Sequence, residues 1–102
     1  MHTVEEAAPG IDYDLLNQVQ NTLIASDMTA WLDYVQQARG RAISSEELEP
    51  MTHMIWREGA KFSGAEVAGS LQLMHRFGFQ MAAFHERYDV ILQPVTATPA
   101  PL

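Results

Sequence analysis

A short apolar run near the carboxyl end constrains the fold more than any other stretch of this chain. Val90, Ile91 and Leu92 follow one another without a polar residue between them, and Pro94 ends the run. A run of this kind is typical of a strand buried on both faces of a sheet, so it needs neighbouring strands and covering layers. The other strand candidate is the segment 2–6, and two short strands do not form a self-sufficient sheet. We therefore expect the chain to be part of something larger, or to complete its sheet with a second copy.

A long apolar stripe at helical spacing predicts the first helix. Asp12 is a suitable N-cap for it. Gly40 lies between two arginines, so a residue that tolerates a left-handed conformation is combined with cations that complement the helix dipole. We expect a helix over residues 12–38, with a break or a second cap at residues 26–27.

Two capping boxes predict where the later helices begin. Ser44 with Glu47 predicts a short helix, which Pro50 ends while it opens a second brief helix. Ser63 with Glu66 predicts the start of a further helix, which we expect to be the longest of the chain.

This last helix is apolar on more than one side, so it must be covered by more than one neighbour. We expect it to reach about residue 88 and to pack against the helix over residues 12–38. Leu71 and Phe77 are expected to be buried on it. A further set of soft apolar side chains is typical of a core, and less often of a groove that receives a helix. Its members are Trp31, Trp56, Met51, Met54, Met74 and Met81.

Together these signals predict a mainly α fold of antiparallel helices with at most two short terminal strands. At 102 residues the chain is large enough for one domain with a modest core, here residues 1–102. The Thr-, Pro- and Ala-rich end, residues 96–102, is expected to be an extended tail.

Composition argues against several classes of partner. The net charge is −7 with only six Lys and Arg, so the chain lacks the basic face that binding to a phosphate backbone or an anionic lipid surface requires. We therefore expect neither nucleic acid nor membrane as a partner. The sequence has no Cys, no apolar run of membrane-spanning length and an acidic start, so a soluble protein of the reducing cytoplasm is the expectation.

No serine and lysine are arranged as a nucleophile and its base. The only Lys is Lys61, and the candidate serines are Ser63 and Ser70, each beside a glycine on a predicted helix. Geometry must precede reactivity in such an assignment, so we assign Ser63 to a helix cap and Gly69 to close packing. No catalytic residue is predicted.

Metal ligation is not predicted either. The four histidines are His2, His53, His75 and His85, and no two of them are three or four residues apart, the spacing that would put two ligands on one helix face. The acidic group at residues 46–49 falls at a helix start, where carboxylates complement the dipole. We expect no metal and no cofactor.

Three stretches, in the same order, resemble motifs of one enzyme family. Residues 84–101 read Phe-x-x-x-Tyr-Asp-Val-Ile-Leu-x-Pro-x-x-Ala-x-Pro-Ala-Pro, and residues 2–9 read His-Thr-Val-Glu-Glu-Ala-Ala-Pro. The third stretch lies between them and combines Arg-Gly-Arg at 39–41 with Glu-Pro-Met-Thr at 49–52. This pattern resembles the carboxy-terminal segment of amidase-signature enzymes, most of all the amidase and cyclic-oligoamide hydrolase branch.

The resemblance implies that the chain is a fragment of an α/β hydrolase. Complete members cleave linear or cyclic amide C–N bonds with a Ser-Ser-Lys mechanism, and their Gly/Ser-rich nucleophile loop is not in this sequence. The resemblance thus implies that this chain alone is inactive and that its partner is the missing amino-terminal part of the enzyme. It also implies that the segment after the Tyr-Asp strand lies near the substrate pocket, which singles out Gln93, Pro94, Thr96 and Thr98.

The alternative is a stand-alone helical module that associates with itself and has no enzymatic activity. A homo-oligomer would then cover the apolar faces that one chain leaves exposed. The interface residues expected from the two strand candidates are Val4, Val90, Ile91 and Leu92.

Overall fold

The computed structural model describes residues 3–96 and Thr98, and its architecture is mainly helical, as predicted. Three α-helices follow one another: α1 (Tyr13–Arg39), α2 (Pro50–Gly59) and α3 (Gly64–His85). A short 3₁₀ turn, Ser45–Glu47, lies between α1 and α2. No strand is formed in the described part of the chain.

The predicted caps determine the helix ends. Asp12 accepts a hydrogen bond from the backbone N–H of Leu15 at 3.0 Å, and Gly40 ends α1 in the left-handed region with φ of 67°. The Ser63 hydroxyl accepts from the backbone N–H of Glu66, whose carboxylate accepts from the Ser63 N–H in return.

Two expectations about helix length are wrong. Helix α1 runs through residues 26–27 without a break, and the Ser26 hydroxyl is buried with no hydrogen-bond partner instead of capping a second helix. Because α1 is unbroken, its 27 residues exceed the 22 of α3, which was expected to be the longest helix.

Both later helices pack on α1. Helix α2 lies along its carboxy-terminal half, where Thr29 Oγ1 lies 2.9 Å from the Trp56 carbonyl oxygen and Gly59 lies against Ala25. Helix α3 begins five residues after Gly59, which lies against the middle of α1. It ends close to Tyr88, which contacts Glu5 ahead of the start of α1. Helix α3 therefore runs antiparallel to α1 and extends past the start of α1. This arrangement confirms the predicted packing of the last helix on the first.

Helices α1 and α2 approach most closely at Gly59. A Cβ at this position would overlap the carbonyl oxygen of Ala25 and the hydroxyl of Thr29, so only glycine fits without moving the helix. Gly69 was expected to have this role, but a Cβ there would meet nothing within 4 Å.

The core is small because the molecule is only two helix layers thick. Its shortest dimension is 22 Å, about twice the diameter of a helix with its side chains. The buried apolar residues are Val19, Ala25, Leu32 and Phe77. The expectation for Phe77 is therefore confirmed, whereas Leu71 is 50% exposed because it lies off the single face of α3 that α1 covers.

The chain exposes far more surface than a compact protein of its mass. Its accessible surface is 8634 Å², whereas a folded monomer of 11.4 kDa exposes roughly 5,800 Å². The radius of gyration is 18.6 Å, against roughly 13 Å for a compact chain of this length. Both the segments outside the helices, residues 3–11 and 88–96, and the exposed faces of the helices contribute to this surface.

Candidate functional site

A cleft lies at the end of α3, between the first strand candidate and the residues that lead into the second. Its volume is about 670 Å³. One wall consists of Thr3, Val4 and Glu5, and the other consists of residues 87–90. The structure therefore brings the beginning and the end of the described chain together, although neither segment forms a strand.

Long side chains, and not backbone hydrogen bonds, bridge this cleft. The Glu5 carboxylate accepts a hydrogen bond from the Tyr88 hydroxyl and another, 3.1 Å long, from the Arg87 guanidinium. The Tyr88 ring stacks on Phe84 with centroids 4.5 Å apart. Because the Tyr88 hydroxyl donates to Glu5, the pKa of Tyr88 is raised above its ordinary value. We call these contacts of Glu5 with Arg87 and Tyr88 the clasp.

The four residues expected at an interface all lie at this end of the molecule. Val4 and Val90 line the cleft, and Ile91 and Leu92 follow directly. Val4, Val90 and Leu92 are more than 80% exposed, and Ile91 is 39% exposed. Within the described residues, no backbone–backbone hydrogen bond involves positions 3–8 or 89–96. This end therefore presents apolar side chains together with unpaired backbone groups.

The residues expected near a substrate pocket follow the apolar run. Gln93, Pro94, Thr96 and Thr98 are all exposed, and the Thr96 hydroxyl donates to the Thr98 carbonyl at 2.9 Å. None of them lines the cleft. Most of the expected tail over residues 96–102 lies outside the described residues, as does His2 of the first strand candidate.

The side chains considered as a nucleophile and its base have other partners. Lys61 forms a salt bridge of 2.5 Å with Glu58. The Ser63 hydroxyl, which caps α3, lies 2.7 Å from the Glu66 carboxylate. Ser70 is buried on α3, where it is 8% exposed. Among the described residues, no hydrogen bond joins Lys61 to either serine, so this arrangement cannot activate a nucleophile.

Glu47 is the centre of a charged turn that connects α1 to α2. Its carboxylate accepts from Arg39 at 2.6 Å, from Arg41 at 2.8 Å and from the backbone N–H of Ser44 at 3.0 Å. The Ser44 N–H, and after it the Arg41 guanidinium, lower the pKa of Glu47. The Arg-Gly-Arg motif therefore has a structural task here, which is to hold this turn.

A second open surface lies on α1 and α2. Its large apolar side chains are each at least 55% exposed, and a shallow groove of about 350 Å³ between Ile24, Trp31 and Thr52 crosses it. We call the exposed apolar residues of α1, Ile24, Trp31 and Tyr34, the aromatic face; Met51 and Met54 are exposed on α2. The sequence analysis assigned Trp31, Met51 and Met54 to a core, because apolar content alone does not say how many neighbours a helix has.

The described part of the chain contains no group of three or more His, Asp or Glu side chains placed to hold a metal ion. No helix among the described residues combines the length and apolar composition needed to cross a membrane. Comparison of the chain with protein-family models, with curated proteins and with solved structures gave no match.

Proposed function

We propose that this chain is the carboxy-terminal, non-catalytic section of an amidase-signature hydrolase that cleaves linear or cyclic amide C–N bonds in its complete form. The observation that carries the proposal is the exposed surface of 8634 Å², about half as much again as a compact protein of this mass has. Each helix exposes a large apolar side chain, such as Trp31 on α1, Met51 on α2 and Phe79 on α3, as a missing covering layer would leave them. The resemblance of three ordered motifs supplies the family.

The partners of the lysine and the two candidate serines favour a structural role for this chain over a catalytic one. Lys61 is paired with Glu58, Ser63 caps α3 and Ser70 is buried. The acyl-serine intermediate of the complete enzyme would therefore form on residues outside this chain. Within the whole enzyme, α1–α3 would cover one side of the sheet, and the segment over residues 93–98 would approach the substrate.

The coding sequence upstream of Met1 tests this proposal directly. We expect it to encode a Gly/Ser-rich nucleophile loop and an upstream Lys in the same reading frame. An upstream region without such a frame would contradict the proposal.

Labelling with a fluorophosphonate probe, which modifies activated serines, provides a second test. The protein that contains both the upstream segment and this chain should be labelled and should hydrolyse a simple amide. The chain of 102 residues alone should show neither reaction. Labelling of the short chain that is lost on changing Ser63 or Ser70 to Ala would show that the reactive serine had been misassigned.

A self-association module without activity is the second candidate. The observation in its favour is that the cleft end and the aromatic face are both apolar and open, since exposed patches of this kind mark interaction sites. The two candidates differ in what they require, because a module of this kind needs no upstream segment. A stable oligomer of the short chain, together with an upstream region that lacks the nucleophile loop, would favour this second candidate.

A further inference from the structure

We propose that the cleft at the end of α3 receives residues 90–92 of a second copy of this chain, and that the two copies exchange these runs to form a four-stranded intermolecular sheet. The order of segments across the sheet is residues 3–5 of the first copy, 90–92 of the second, 90–92 of the first and 3–5 of the second. The two central runs pair antiparallel about a two-fold axis at Ile91. This inference concerns the isolated chain and does not rest on the proposed hydrolase function.

The two walls of the cleft are joined by side chains and not by their backbones. The walls are connected through the clasp, in which Glu5 reaches both Arg87 and Tyr88 with its side chain, while no backbone–backbone hydrogen bond joins the walls. Adjacent strands are only about 4.8 Å apart and bond through their backbones. The walls thus lie beside each other but unpaired, with about 670 Å³ of open volume between them. An inserted segment would find unpaired backbone groups along residues 3–5 on one side and at Asp89 and Val90 on the other, whereas the N–H groups of Arg87 and Tyr88 already donate to Phe84.

Residues 90–92 have the properties expected of the inserted segment. Residues 90–92 are apolar, two of the three are β-branched, and Val90 and Leu92 are 81% and 95% exposed. These are the properties of a strand that lacks its neighbours. Pro94 has no N–H to offer, so it limits the ladder to a short run that matches the short walls of the cleft.

The exchange of runs between two copies has two-fold symmetry. When each copy inserts its run into the cleft of the other, the same surface is used twice, as a two-fold interface requires. The result has four strands, whereas one chain offers only two short segments, and three or more strands are needed for a stable sheet. No further copy can be added at the centre, and only the outer edges of the two segments 3–5 are left open.

The chain has enough exposed surface to form a stable interface. A stable interface buries about 1,200–2,000 Å² in total. Each chain exposes 8634 Å², which is roughly 2,900 Å² more than a compact monomer of its mass. At the cleft end Val4, Val90 and Leu92 are each more than 80% exposed, so a dimer formed there buries them without opening the small core.

Sedimentation equilibrium at micromolar concentrations, run on three chains, tests the proposal. The unmodified chain should be a dimer. Ile91→Lys places a charge at the two-fold axis and should weaken association by roughly tenfold or more. Val95→Lys makes the same kind of change at a fully exposed position beyond Pro94, and it should leave association unchanged. Circular dichroism should show equal helix content in all three chains.

Disulfide trapping tests the position of the axis. The chain has no Cys, so a single Ile91→Cys chain can form a disulfide only with its copy. Residues paired across antiparallel strands have Cα atoms about 4.5–5.5 Å apart, within the range that a disulfide spans. We expect rapid formation of a covalent dimer by Ile91→Cys and little by Val95→Cys.

A monomeric unmodified chain, or equal trapping at both positions, would overturn the proposal. Association that is lost in Trp31→Lys and unaffected in Ile91→Lys would also overturn it, because the copies would then meet through the aromatic face. None of these results bears on the hydrolase proposal, which depends on the upstream coding sequence.

Discussion

Replacing Gly59 by Ala should destabilise the fold, although alanine is the better helix former. The added Cβ would overlap the Ala25 carbonyl oxygen, which belongs to a rigid helix backbone, so α2 must move away from α1. Overpacking of this kind costs about 1–3 kcal/mol. The movement also stretches the hydrogen bond of 2.9 Å from Thr29 to the Trp56 carbonyl, worth about 1 kcal/mol. The helix-forming advantage of Ala returns about 0.5–1 kcal/mol, so we expect a net loss of about 1–3 kcal/mol.

Gly78 provides the matched control. It lies within α3, and a Cβ there would meet nothing within 4 Å, so Gly78→Ala should stabilise by about 0.5–1 kcal/mol. Urea unfolding followed by circular dichroism at one fixed protein concentration measures both changes. Shifts of the same sign for the two variants would refute the claim that close approach at Gly59 determines how α2 packs.

Three further outcomes follow from burial and capping. Phe77→Ala should lower the free energy of unfolding by about 3 kcal/mol because the ring is only 7% exposed, whereas Leu71→Ala, at a half-exposed position, should cost less than about 1 kcal/mol; equal losses in urea unfolding would contradict this assignment. Ser63→Ala should cost about 1 kcal/mol by the same assay, the value of a helix cap, and an effect near zero would mean that the capping box contributes little. Hydrogen bonds from the Ser63 backbone and hydroxyl lower the pKa of Glu66 below 4.5, so the folded chain binds fewer protons than the unfolded chain in acid. The stability that this carboxylate provides is therefore present above about pH 4.5 and is lost as the pH falls through its lower folded pKa; Glu66→Gln should flatten this acid dependence, and an unchanged pH profile would contradict the argument.

The helix ends were predictable because their determinants are local. The cap at Asp12 and the box at Ser63 each involve groups within three residues of one another, so the sequence alone contains the whole interaction. Gly40 was predictable for the same reason, since its left-handed conformation depends on the residue itself. The mainly α fold and the packing of α3 on α1 followed from these ends and from the length of each stripe.

Burial was less predictable because it depends on the number of neighbours. Leu71 belongs to the wide apolar face of α3, but α1 covers only the narrower stripe that contains Phe77. The same reasoning explains Gly59 and Gly69: both are glycines within a helix, and only the packing of α2 on α1 shows which of them another backbone approaches. Strand formation at residues 90–92 also depends on a partner, and the described chain provides none that pairs with it.

The position of α1 between α2 and α3 determines how the molecule should open. Helix α2 contacts α1 at Ala25 and Thr29, whereas the first half of α3 lies beside Val19 and Thr22, so each can detach while the other stays bound. Native-state amide exchange should therefore detect two separate opening reactions, one for the backbone of α2 and one for α3, to whose end the clasp joins Glu5. The amides near Val19 and Ala25, at the buried middle of α1, should exchange only when both reactions have occurred, which makes them the slowest of the chain. A protease added under native conditions should accordingly cut within α2 and α3 before it cuts within α1.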